Sequence, residues 1–108
     1  MIDPDTIYRE VLSAGEKWAD LKGAYEALAD NTKSVLADIT ANFMDSKLSK
    51  TEAEMRALAS GEYKIHLASV SAARKAYLKA QVGYDSLRLL ADLRRSEEST
   101  KRAEMSLR

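Results

Sequence analysis

Ten residues near the start of the chain fix most of what it can fold into: Ile7, Val11, Ala14, Trp18, Leu21, Tyr25, Leu28, Thr32, Val35 and Ile39. Their intervals alternate four and three without a slip over more than four heptads. That spacing keeps one apolar stripe on one side of a helix and asks for a second helix along it. A strand cannot satisfy it, because strand side chains repeat every second residue. The spacing therefore predicts a first helix over about residues 4–44. Asp3 is placed as N-cap, Pro4 as the first helical residue and Asp5 near the positive end of the helix dipole. Thr32 is the one polar member of the stripe. With Asp30 and Asn31 beside it, this is the weakest point of the helix, a place for a kink.

The turn is predicted at residues 45–49. Ser49-Lys50-Thr51-Glu52 has the S-x-x-E form of a capping box, so a second helix should begin at about residue 50 and run to about 107. Ser60-Gly61 is its internal risk, and a break there would make three helices. The flanking pattern (Met55, Leu58 and Ala59, then Tyr63 and Ile65) stays helical, and the reading keeps one helix. Composition agrees: of 108 residues 31% are charged, only one is Pro and four are Gly, which favours helix over turn. The expected fold is all-α, a long antiparallel helical hairpin of coiled-coil type forming one domain over residues 1–108. Residues 94–108 should project beyond it, and dimerisation should make a four-helix bundle.

Folding back at 45–49 pairs positions whose numbers sum to about 94. Ile7 then meets Leu87, Val11 meets Gly83, and Trp18 lies over Ala73, Ala76 and Ala80. Large against small is a packing that lets two helices approach closely. Leu58, Ile65, Val82, Leu89, Leu90 and Leu93 are surplus to such a hairpin, and Leu12 and Leu36 add to the surplus. Surplus apolar surface marks association, most simply between two copies of the chain.

Net charge is zero but unevenly spread: residues 1–54 hold six Lys and Arg against eleven Asp and Glu, and residues 55–108 hold eleven against six. Arg74, Gln81, Arg88, Arg95 and Arg102 recur every seven residues with Lys75 and Lys79 adjacent, a face for nucleic acid or another acidic partner. Against that stand Asp85 and Asp92 close to Arg88, and the i,i+4 pairs Glu97–Lys101, Glu98–Arg102 and Glu104–Arg108, which describe a solvated helix face. Tyr63, Tyr77 and Tyr84 fall at seam spacing, so they are read as packing residues rather than base-stacking platforms.

His66 is the only histidine, and with no cysteine and no clustered carboxylates beside it a metal centre is not expected. It is placed at the seam edge or in solvent. No nucleophile–base motif or phosphate-binding Gly-rich loop occurs, so the reading is of a non-enzyme without cofactor. The lack of cysteine fits a reducing compartment, no apolar run approaches the ~20 residues of a membrane span, and no Sec-type leader is read at the N-terminus. A cytoplasmic location without membrane contact is expected.

A hairpin of this length is similar to the WXG100 family. However, Trp18-Ala19-Asp20 lies mid-helix instead of Trp-x-Gly at the turn, and Tyr84 is followed four residues later by Arg88 rather than an acid, so that family is set aside. The stretches EKWADLKGAYEALAD and ADLRRSEESTKRAEM resemble small helical proteins of phages and prophages. The resemblance implies an accessory or inhibitory role in a bacterial host, with no active site to carry over. The functional expectation is a protein–protein interaction module (scaffold, adaptor or inhibitor) acting as a homodimer on a protein partner yet to be identified. The alternative is a nucleic-acid-binding accessory protein using the basic face.

Overall fold

The computed structural model describes residues 4–107, and among them the secondary structure is all α-helix. Four helices follow in order: α1 (Pro4–Asp30), α2 (Thr32–Met44), α3 (Lys50–Ala59) and α4 (Gly61–Ser106). The expected capping by Asp3 and the Glu104–Arg108 pair lie outside the described residues.

Each arm of the expected hairpin is divided once. The first division, at Asn31, is a dent. Asn31 keeps right-handed helical angles, and the ladder crosses it through Asn31 N–H to Ala27 O (3.2 Å) and Val35 N–H to Asn31 O (3.0 Å). Three adjacent residues that favour local backbone bonding over helix account for it.

The second division is a break and corrects the continuous helix expected over about 50–107. Ser60 is extended (ψ 151°) and serves both ends. Its hydroxyl donates to Ala57 O at the close of α3 (2.7 Å) and accepts from Tyr63 N–H in the first turn of α4 (3.2 Å). One side chain thus terminates one helix and caps the next, which makes a kink at Ser60 stable rather than merely tolerated.

At the turn, Ser49 accepts from Glu52 N–H (3.2 Å) and starts α3 where the S-x-x-E signature placed it. Lys47 takes a left-handed conformation (φ 66°), and its N–H closes on Met44 O (3.0 Å). Glycine is the usual residue for such a helix end, so nothing in the sequence marked this one.

The contacts divide the chain into two compact units. The unit of residues 21–76 contains the turn, and α2 packs on α3 within it. Its best-buried residues are Ile39 and Thr40 on α2 and Ala53 and Ala57 on α3, the two alanines 0% exposed. The large side chains of α3, Met55 and Leu58, face outward. The α3 side of this core is therefore built from the smallest apolar residue at i,i+4 spacing, which lets the helices come close.

In the same unit Thr32 Oγ1 and His66 Nε2 share a hydrogen bond of 2.9 Å. The 94-sum register would have set Thr32 against residue 62. The bend at Ser60 uses about one more turn of chain before α4 reaches that level, and His66 takes the place. The two polar seam residues satisfy each other, and such a pair in an apolar seam fixes register.

The unit of residues 1–20 and 77–108 packs the start of α1 antiparallel to the later part of α4. Ile7 is buried, and Trp18 stacks on Tyr84 with ring centroids 5.8 Å apart and planes at 21°. Tyr84 lies about two helical turns further along α4 than Ala76, the level expected for Trp18. The register is again offset from the 94-sum, and an aromatic ring takes the place given to alanines.

Glycines on these helices give a graded test. A Cβ at Gly23 or Gly83 would have nothing within 4 Å, whereas at Gly15 it would lie 3.0 Å from Tyr84 Cε1. Helix propensity favours Ala over Gly by about 0.5–1 kcal/mol. Gly23→Ala and Gly83→Ala are each expected to raise the unfolding free energy measured in urea by that amount. Gly15→Ala should gain nothing or lose stability, since the Trp18–Tyr84 stack must shift to admit the methyl group. Three equal gains would show that Tyr84 does not rest against Gly15.

Candidate interaction surface

The seam of α4 is complete. Tyr63, His66, Val70, Ala73, Tyr77, Ala80, Tyr84, Leu87, Ala91 and Arg94 are each half-buried, at strictly alternating three and four. Of the seam expected from sequence, Ala73, Ala80 and Leu87 are on it; Ala76 is half-buried beside it, and Gly83 is exposed. Val70 is not expected there and His66 only at the seam edge or in solvent, although Tyr63 and Tyr77 bracket both at heptad spacing. All ten stripe residues expected on the first arm are buried or half-buried.

All six residues expected to serve self-association, Leu58, Ile65, Val82, Leu89, Leu90 and Leu93, are exposed. They are divided between the two units, Leu58 and Ile65 in one and Val82, Leu89, Leu90 and Leu93 in the other. At about 100° per residue, Val82, Leu89 and Leu93 point away from the seam of α4 and Leu90 lies about a quarter-turn aside; Ile65 also points away from its own part of the seam, and Leu58 belongs to α3. Leu78, not expected there, joins the outward group. Within the unit of residues 1–20 and 77–108, the outward stripe is thus Leu78 (40% exposed), Val82 (67%), Leu89 (62%) and Leu93 (55%). Four large aliphatic side chains in one line, each about half exposed, would gain about 1–2 kcal/mol apiece if fully covered.

The basic residues are divided among several roles. Arg88 lies over the Tyr84 ring, 5.4 Å from its centre, adding a cation to the Trp18–Tyr84 cluster. Arg95 lines an open groove of about 420 Å³ together with Ile7, Val11, Ala91, Asp92 and Glu98. Arg102 pairs with Glu98 at 3.8 Å, both exposed, an i,i+4 contact of small energetic weight. Arg74, Lys75 and Lys79 are exposed, but Lys75 and Lys79 fall on the outward side of α4 rather than beside the arginines, so their nearness is one of sequence only. The groove beside Arg95 carries carboxylates among its cations, which lowers its attraction for a polyanion.

A shallower trough on the same unit is walled by Tyr8, Leu12, Trp18 and Tyr84 and floored by Gly15 and Ala19. Among the described residues no group of three or more His, Cys, Asp or Glu side chains converges as a metal site, and no helix is long and apolar enough to cross a membrane. Comparison with protein-family models, with curated proteins and with solved structures finds no match to the chain.

Proposed function

We propose that this chain is a non-enzymatic protein–protein interaction module that works as a homodimer, as a scaffold, adaptor or inhibitor. A role among the accessory proteins of phages, in the cytoplasm of a bacterial host, is the setting its sequence texture suggests. The observation that carries the reading is the outward stripe of α4. Its opposite face already holds the seam, so Leu78, Val82, Leu89 and Leu93 are not needed for intrachain packing, yet they are apolar and aligned. Exposed aligned aliphatic residues are costly in solubility unless something covers them.

Light scattering on the eluted protein is expected to give twice the chain mass of 12.0 kDa at high micromolar concentration. A mass of one chain under those conditions would remove the homodimer. The competing reading, nucleic-acid binding through Arg88, Arg95 and Arg102, is addressed by a DNA titration at low and high salt. Binding at low salt that is abolished by replacing the three arginines with Ala would put that reading first.

A further inference from the structure

We infer that two copies of the chain associate through an antiparallel pairing of α4 with α4, about a two-fold axis between Val82 and Leu89. This rests on the homodimer proposed above and specifies its surface, its symmetry and its direction.

The outward stripe reads Leu78, Val82, Leu89, Leu93, with intervals of four, seven and four. That series is the same in either direction along the helix. Turning a second copy end over end about a point between residues 85 and 86 sets Leu78 beside Leu93 of the partner subunit, and Val82 beside Leu89 of the partner subunit. Both contacts then occur twice. A patch that maps onto itself under reversal is what an isologous two-fold interface requires.

Charge selects the same direction. Lys79 and Glu97 are eighteen residues apart, five whole turns, so they flank the stripe on the same side near its opposite ends. In the antiparallel pair Lys79 faces the end that carries Glu97 of the partner subunit, offset by about 7.5 Å along the axis, within the combined reach of the two side chains. An in-register parallel pair would instead set Lys79, Asp85, Asp92 and Glu97 each against its own copy. Like charges juxtaposed in this way oppose the parallel arrangement. One unfavourable pair remains in the antiparallel dimer: Asp85 sits near the axis and approaches its own copy.

The seam and the stripe lie on opposite sides of α4. In the unit of residues 1–20 and 77–108, the dimer therefore orders its helices α1, α4, α4, α1 in a single row. The compact four-helix bundle expected from the sequence gives way to this row.

The chain contains no cysteine, so single cysteines report the geometry without background. Ser86→Cys, next to the axis, is expected to form an intermolecular disulfide in most of the protein under mild oxidation. Lys79→Cys, about 20 Å from its own copy in this arrangement, is expected not to. Val82→Lys places two lysines in the interface and should weaken dimerisation more than a hundredfold while circular dichroism shows the helices intact; Val82→Ala should weaken it about tenfold. A chain that is monomeric at several hundred micromolar overturns both the homodimer and this surface. A dimer that survives Val82→Lys, or that cross-links through Lys79→Cys, overturns this surface alone and leaves the homodimer standing.

Discussion

Replacing Ala57 by Leu should cost about 2–3 kcal/mol and lower the thermal midpoint by on the order of 10 °C. Ala57 is 0% exposed where α3 meets α2, so three added carbons have no vacant space to enter. They can be accommodated only by separating the helices. That movement would also disturb the junction behind it, since Ala57 O accepts both Ser60 N–H (3.1 Å) and the Ser60 hydroxyl (2.7 Å). Met55→Ala on the same helix removes a far larger side chain from an exposed position and should change stability by no more than about 0.5 kcal/mol. The usual expectation, that a buried methionine matters and an alanine does not, is thus inverted here. Urea unfolding of the two variants decides it. A larger loss for Met55→Ala than for Ala57→Leu would mean that the other face of α3 meets α2.

That inversion shows where the sequence was legible and where it was not. Every residue of the first-arm stripe was identifiable, because large apolar residues at unbroken heptad spacing have one physical use and fix the places of Ala14 and Thr32 between them. Ala53 and Ala57 were passed over because alanine is also the commonest filler of exposed helix surface, so its presence carries little information about burial. Register failed for a different reason. Counting residues from the turn assumes two straight helices, and the extended residue at Ser60 alone introduces about the one turn of offset seen at Thr32–His66. The signal was present as a serine three residues before Tyr63, the spacing of an N-cap to its third helical amide, with the break-tolerant Gly61 following.

Thr32 and His66 could have been paired, since each is a polar residue interrupting an apolar part of its seam, but only in the correct register. The association residues were recognisable as surplus without being resolvable into a surface. Sorting Val82, Leu89 and Leu93 from Leu90, and adding Leu78, needed the position of the seam around α4, and Ile65 and Leu58 are set apart by lying in the other unit.

Trp18→Ala is expected to destabilise the protein by about 2–3 kcal/mol, and to do so through the unit of residues 1–20 and 77–108. Trp18 is only half-buried, so the loss should fall below the cost of emptying a fully enclosed Trp site. Its stacking on Tyr84 adds about 0.5–1.5 kcal/mol beyond the area covered. Arg88 rests on the same Tyr84 ring, yet it is exposed and holds only a solvent-screened cation–π contact, so Arg88→Ala should cost no more than about 1 kcal/mol. Trp18→Phe, which keeps a ring against Tyr84, should fall between them. Because Trp18 is the only tryptophan, the stack can also be read directly: Tyr84→Ala should shift its emission to longer wavelength as water reaches the indole. Hydrogen exchange then locates the effect. In Trp18→Ala, amides of α4 around Tyr84 and Leu87 should lose protection first, because those residues lie on the seam that faces the emptied site. Equal losses for Arg88→Ala and Trp18→Ala would mean that the arginine, not the indole, is the main support of Tyr84, and the stack would have to be read from the opposite side.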